Sequence, residues 1–578
     1  MAGAIQGEFD FIVVGGGTAG NAVAGRLAEN PKVSVLVVEA GVGNPQDVPE
    51  IFTPARAFEL RGSHHDWQYE TTFVDRPDFK RVDKPNTRGK VLGGSSCLNY
   101  YTWVRGSKAT FDDWEEYGGK NWNWENTKHY FDKPATYHDD GNLFATSLKH
   151  IGTTGPIHVE HADLVPELQP FRDAMKQAWE SKGHYLTDDI YNGQMHGLVN
   201  CVNSIHKGVR STSAAYLTGK PNITLMHSSH TKQLTLDGKI VTGVTVLGPD
   251  GQDYEFKARK EVIVSQGVFE TPKLLMLSGI GRAADLEAHG IRTVVDSPHV
   301  GQNLLDHPIM PHVFKLKDGY GLDSYVVHQG SKHEEAANKY MKDTTGPFKS
   351  GLLELVGFPR IDHLLAKNKD YVAAKERNGG LDPFGPGGQP HFEIDFVPVF
   401  ASAFQWHTPM PSEGDYLTVI VDLLRPMSRN GEVKLKSSNA LEQPSINLKY
   451  FENELDIVAL REGVRFIDDV LMNGEGMKEI IDGEYPKPLP RDSDEEMRKE
   501  ILEKHQTGFH PCGTCRLGTN KDQGVVDSEL KVYGVDRLRV IDASVFPIIP
   551  DCRIQNAVYM VAEKGADIIK AAYPDLYT

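Results

Sequence analysis

The sequence predicts an α/β chain of at least two packed regions, a parallel nucleotide-binding unit at its start and a second region built on an antiparallel sheet. Three observations carry this reading. Residues 9–39 run strand, glycine turn, helix, strand; alternating apolar runs recur between 416 and 436; and 578 residues exceed what one hydrophobic core organises.

The elements follow in order. Phe9–Val14 reads as a strand, Gly15–Gly20 as a turn, the Ala-rich stretch Asn21–Glu29 as a helix and Val33–Glu39 as a strand, which together make one βαβ unit. Ile223–Met226 and Lys239–Leu247, set around a turn at Asp237-Gly238, and then Glu261–Ser265 read as further strands of the nucleotide region. Residues 318–388 carry lysine-rich helical segments and end in the Gly/Pro cluster Asp382–Gly388, which reads as a long surface loop. The alternating runs Tyr416–Leu424 and Glu432–Lys436 predict an antiparallel sheet that roofs a substrate cavity, and Leu538–Ile541 with a closing helix over Asn556–Ala572 ends the chain. No internal repeat of fixed period is visible, which argues against a solenoid or propeller.

Composition is that of an ordinary globular protein, with 39% apolar and 24% charged residues. Lys and Arg number 62 against 79 Asp and Glu, so the net charge is 62 − 79 = −17, and no basic block is present. Nucleic acid is therefore not an expected partner. An anionic substrate is not excluded, because local charge in a pocket can oppose the net charge. The five cysteines, Cys97, Cys201, Cys512, Cys515 and Cys552, are too sparse for a disulfide framework and fit a reducing compartment. Cys512 and Cys515 have redox spacing, yet no second ligand pair accompanies them, so packed thiols and no metal site are expected. His64-His65 reads as a surface pair. Neither a leader at Met1–Phe9 nor an apolar run of about 18 residues is seen, and Asp575–Thr578 matches no address. A cytoplasmic, membrane-free protein is expected.

Gly15-Gly16-Gly17-Thr18-Ala19-Gly20 satisfies G-x-G-x-x-G between a strand and a helix, where backbone amides and the helix N-terminus hold a pyrophosphate. Glu39 closes the second strand at the spacing of a carboxylate that accepts ribose hydroxyls, which disfavours NADP and leaves NAD or FAD.

The stretch Gly89-Lys90-Val91-Leu92-Gly93-Gly94-Ser95-Ser96-Cys97-Leu98-Asn99, followed by Trp103, Gly106 and Asp112, resembles the signature of the glucose-methanol-choline oxidoreductases. Thr271-Pro272 to Gly281, Val300–His307 and Ile541-Asp542-Ala543-Ser544 agree with it, so the resemblance covers the whole chain. It implies a Rossmann-like FAD-binding domain over 1–160, 200–315 and 507–578, interleaved with a substrate domain over 161–199 and 316–506. The FAD would be held by Gly15, Gly17, Thr18, Ala19, Gly20, Glu39 and Ala40, by Arg88, Gly93, Gly94, Ser95, Asn99, Tyr100 and Thr102, and by Gln555. Asp542 and Ala543 would lie beside the phosphates and ribityl chain, and Gln233 near the adenine. Ser96-Cys97-Leu98-Asn99 offers no histidine, so non-covalent FAD is implied. Tyr100-Tyr101-Trp103 either line the cavity or pack beneath the cofactor, and His307 reads as structural in a nucleotide-contacting loop.

The resemblance places a catalytic pair at His510, in Gly508–Thr514, and at Arg553, in Pro550–Tyr559, where most relatives carry His or Asn. Guanidinium cannot accept the hydroxyl proton of an alcohol, because it stays protonated. Its planar fork matches a carboxylate in bidentate geometry. An anionic substrate that surrenders hydride is therefore expected, and formate meets both demands with one carbon. The His and Arg pair is similar to that of the formate-oxidising fungal branch of the family, which implies CO2 and H2O2 as products, O2 as acceptor, and FAD or its 8-formyl form as cofactor. In this reading protonated His510 and Arg553 together stabilise reduced oxygen. Alcohol, aryl-alcohol and 2-hydroxy-acid oxidation and a flavoprotein lyase are the alternatives. Arg553 paired with Asp551 or Glu563 would instead be an ordinary ion pair. Oligomeric state stays open, a homodimer being one outcome.

Overall fold

A computed structural model describes residues 5–138, 145–148, 152, 154–161, 165–405 and 407–577. Met1 and Thr578, read above for targeting signals, lie outside them. The strand Ile5–Val14 buries Phe11, Ile12, Val13 and Val14 completely, so it shows a continuous apolar run rather than alternation. It pairs in parallel with Val35–Val38 on one side and Asp253–Val264 on the other. Ile223–Met226 extends this sheet in parallel beyond Val35–Val38, and Leu538–Val540 adds to Asp253–Val264. The expected turn at Asp237-Gly238 is present, with Gly238 at φ +61°, but it joins Ile240–Leu247 to His230–Asp237. Ile223–Met226 instead lies at the far edge.

The second sheet runs in the order Ile481–Tyr485, Pro308–Leu316, Asp415–Leu423, Phe392–Val397, Leu355–Phe358, Gly197–Asn200, and its pairings are antiparallel. Pro308–Leu316 enters this sheet ahead of the boundary expected at 315. Glu432–Lys434 belongs elsewhere, in a four-stranded sheet with Ser445–Asn447, Tyr69–Asp75 and Lys80–Asn86. Every residue of Phe392–Val397 and Asp415–Leu423 is buried, so the polar positions within them face the interior and not water. Alternation here marks a buried polar surface, which is the feature that builds the site.

The Gly/Pro cluster at 382–388 is an irregular segment, yet most of it is buried. Asp382 accepts hydrogen bonds from Arg360 and His391, each at 2.7 Å, and Phe384 is buried, so packing rather than solvent holds the segment. The closing helix, Gln555–Ala572, is tied to the helix Thr18–Leu27 through Arg26 and the buried Glu563 at 2.8 Å. All five cysteines are free and buried. His65 is buried and only His64 is exposed, which corrects the surface-pair reading. Among the described residues no helix is long and apolar enough to cross a membrane.

Candidate active site

A cavity of about 230 Å³ runs from the glycine turn of the first sheet to the underside of the second. At its nucleotide end the chain itself makes the walls. Gly15 sits at φ +104°, and a Cβ there would stand 2.4 Å from the Ser265 carbonyl oxygen. Gly94, at φ +54°, brings its loop so close to the glycine turn that a Cβ would stand 2.7 Å from Gly17 Cα. Only glycine permits that contact. The helix Thr18–Leu27 has no side-chain cap, so its first amides are left for a ligand at the positive end of the helix dipole. Glu39 accepts from Gly16 N at 2.9 Å and Gly41 N at 2.7 Å while lining the cavity, and burial pushes its carboxyl up to about 7. Asp542 accepts from Ser544 N, Gly267 N and Thr271 Oγ1 at 2.7, 2.9 and 2.6 Å. These groups fit a dinucleotide pyrophosphate and ribose.

Of the expected cofactor residues, Gly15, Gly17, Thr18, Ala19, Glu39, Ala40, Arg88, Gly94, Ser95, Asn99, Tyr100, Thr102, Asp542, Ala543 and Gln555 line the cavity. Three do not. A Cβ on Gly20 would stand 1.8 Å from Gly15 O and one on Gly93 2.5 Å from Cys97 Sγ, so both glycines serve close packing behind the wall. Gln233 points away and donates to Leu277 O at 3.3 Å. The cause is a β-bulge between Thr231 and Gln233, which reverses the facing of the strand and leaves Thr231 on the cavity. Tyr100 and Tyr101 also line the cavity, whereas Trp103 packs on Tyr559 with ring centroids 5.4 Å apart.

At the far end side chains from five distant segments converge. Arg553 lines the cavity, and its Nε donates to Glu393 Oε1 at 2.8 Å while Nη2 donates to Asp395. Neither Asp551 nor Glu563 is its partner, since Asp551 accepts from Ser107 N and Glu563 from Arg26. The freely offered fork expected from the sequence is thus partly engaged, and Nη1 is the nitrogen with no hydrogen bond among the described residues. Glu393 and Asp395 project from one face of their strand, and Asp422 stands across the ladder from Glu393. Asp422 Oδ2 is 3.6 Å from His510 Nδ1, and Asp422 Oδ1 is 3.7 Å from His307 Nδ1. The two imidazoles face each other through their Nδ1 atoms at 3.0 Å.

Burial of this cluster sets its charge. It pushes Glu393 up to about 7 and raises Asp395, and it lifts Asp422 well above the carboxylate range together with repulsion from Glu393 and Asp395. Burial opposes the Arg553 charge, but Asp395, Glu393 and Asp422 outweigh it and hold the guanidinium above its usual range. His510 is held well below its usual range by burial, then by His307, Arg553 and Arg88. These influences favour the neutral imidazole of His510 before turnover. Asp306 accepts from the backbone amides of His307 and His510, both at 2.9 Å, and from Thr507 and Tyr450. It aligns the two histidines and does not line the cavity. Tyr100, Phe404 and Phe509 form an aromatic wall, with centroid spacings of 5.3 and 6.2 Å.

Sequence reasoning missed Glu393, Asp395 and Asp422. Their signal was there, as acids embedded in runs that are otherwise apolar.

GMC oxidoreductase family models match residues 9–309 and 426–562. The chain belongs to the GMC oxidoreductase family. Within the family, oxygen-dependent choline dehydrogenase from Brucella suis biovar 1 is 32% identical over 98% of this chain and 96% of its own length. Pyridoxine 4-oxidase from Mesorbium loti superposes with a TM-score of 0.79 at 27% identity, covering 97% of this chain and 98% of that one. Formate oxidase superposes with a TM-score of 0.98 at 56% identity, with 100% of both chains covered. Variants of Aspergillus oryzae RIB40 formate oxidase match equally well; they replace one arginine by lysine or alanine and concern the effect of the mutation on FAD modification.

Proposed function

We propose that this GMC oxidoreductase is a formate oxidase, converting formate to CO2 and reducing O2 to H2O2 on non-covalent FAD or 8-formyl-FAD. The observation that carries the reading is Arg553, a permanent cation lining the cavity beside His510 at the position where most of the family carries a neutral side chain. Its support is the full-length likeness to formate oxidase. FAD, when bound, supplies the hydride acceptor. Everything else is the work of the chain. Glu393 and Asp395 fix the guanidinium plane, so Nη1 is aimed rather than free to rotate, and one formate oxygen accepts from it. Orientation of this kind accounts for much of the rate gain in a site that binds a one-carbon anion. The wall of Tyr100, Phe404 and Phe509 excludes water and raises the strength of each charged contact. His510 and Arg553 assist oxygen reduction from the same side. The five buried free thiols fit a reducing, intracellular compartment.

Steady-state turnover checks this. Formate is expected to yield CO2 and H2O2 in equal amounts, with a kcat/KM at least about 100-fold above that for glycolate, lactate or benzyl alcohol. A neutral alcohol turned over faster than formate contradicts it.

A further inference from the structure

Oxidising formate has a proton deficit that oxidising an alcohol lacks. An alcohol loses hydride from carbon and a proton from oxygen, and both end in H2O2. Formate anion carries only the hydride, so the balanced reaction is HCOO⁻ + O2 + H⁺ → CO2 + H2O2. Two electrons pass from the C–H bond to O2, one hydrogen of the peroxide comes from formate, and the second must be delivered to the cavity. Burial, His307, Arg553 and Arg88 all disfavour a proton stored on His510 before turnover.

We propose that the carboxyl cluster of Glu393, Asp395 and Asp422 stores the proton consumed in each turnover, and that Asp422 passes it through His510 to the reduced oxygen. The proposal rests on the formate reading for its stoichiometry and on geometry for its route. Glu393, Asp395 and Asp422 are 0, 2 and 3% exposed, and one oxygen of Asp395 and one of Asp422 have no hydrogen-bond partner. Asp395 and Asp422 both line the cavity. A buried carboxylate with an unpaired oxygen is costly, whereas a shared proton neutralises one of the three acids around a single guanidinium. Asp422 Oδ2 stands 3.6 Å from His510 Nδ1, and transfer requires Asp422 to take the place of His307, whose Nδ1 stands 3.0 Å from the same nitrogen. A proton entering the ring at Nδ1 permits release of one from Nε2, which makes no hydrogen bond among the described residues. The charged and titratable groups facing the cluster are Arg553 on the segment before the closing helix, His307 and Asp306 ahead of Pro308, His510 on its own loop, and the thiols Cys201 and Cys552. Burial lifts all three acids, and Glu393 to about 7, so Glu393 can take up a proton from neutral water.

The test uses holoenzyme whose flavin is reduced photochemically, so that formate is not needed. On mixing with O2, reoxidation is expected to fall as pH rises from about 5 to about 9 and to show a solvent deuterium isotope effect; Asp422→Asn is expected to be slower by about tenfold or more and to lose both dependences. Infrared difference spectra across the same pH range are expected to show a protonated-carboxyl C=O stretch titrating near neutrality in the wild type, diminished in Asp422→Asn and in Glu393→Gln. Reoxidation of the wild type that is flat in pH and in D2O, or no titrating carboxyl band, overturns the proposal even if formate proves to be the substrate. Failure of formate to reduce the flavin, with these signatures intact, removes the formate reading and leaves the proton store standing. Should Asp422→Asn fold poorly, the wild-type profile and the Glu393→Gln spectrum decide.

Discussion

The two ends of the cavity are built by different means. The nucleotide end is made of backbone: Gly15, Gly17 and Gly94 bring three chain segments together, and the uncapped helix at Thr18 offers amides. The far end is made of charged side chains, with Arg553, Glu393, Asp395, Asp422 and His510 gathered from segments remote in sequence. A backbone-made site tolerates almost no added atoms but little depends on charge. A side-chain-made site tolerates reshaping, but each charge rests on its neighbours. Substitutions at the two ends should therefore fail in different ways.

The largest effect is expected at the charged end. Arg553→Ala leaves three buried acids without their cation, at a cost of about 3–5 kcal/mol in stability, and removes the donor to formate, so kcat/KM for formate should drop by at least about 100-fold. Arg553→Lys keeps the charge but cannot span Glu393 and Asp395 with a planar fork, and a loss of about 10- to 100-fold is expected. Steady-state kinetics separate the two, and equal rates for Lys and Arg would show that charge alone suffices. At the backbone end Gly94→Ala should cost about 1–3 kcal/mol through its contact with Gly17 and its left-handed φ. The readout is flavin retained after gel filtration, with little change in the KM for formate of the fraction that keeps its cofactor.

A pH series probes the charged end without mutation. Below about 7 Glu393 is protonated and the site is more receptive to an anion; above it the added negative charge opposes formate, so KM should rise by up to about tenfold per pH unit. The smallest effect is expected for Gln233→Ala, whose side chain faces Leu277 rather than the cavity; flavin affinity should stay within about twofold.

Much of this contrast explains what the sequence disclosed. Gly15–Gly20 and Gly89–Asn99 were legible because a wall made of backbone demands glycine at fixed spacing. Arg553 and His510 were legible through family motifs. Glu393, Asp395 and Asp422 left a signal that is easily misread, because acids alternating in a strand ordinarily face water, and only the burial of both sheet faces turns them inward. Gln233 was misplaced because a one-residue bulge reverses facing and leaves no mark in composition. The partner of Ile223–Met226 was missed for a related reason, since a parallel neighbour is joined by long connections and not by the nearest turn.

The most direct test is anaerobic mixing of the holoenzyme with formate while flavin absorbance is followed. The wild type should bleach fully within the time of one turnover, and Arg553→Ala should bleach at least about 100-fold more slowly at the same formate concentration. An unchanged wild-type spectrum, or equal rates in the two proteins, would contradict the assignment of Arg553 as the anchor of a one-carbon anion.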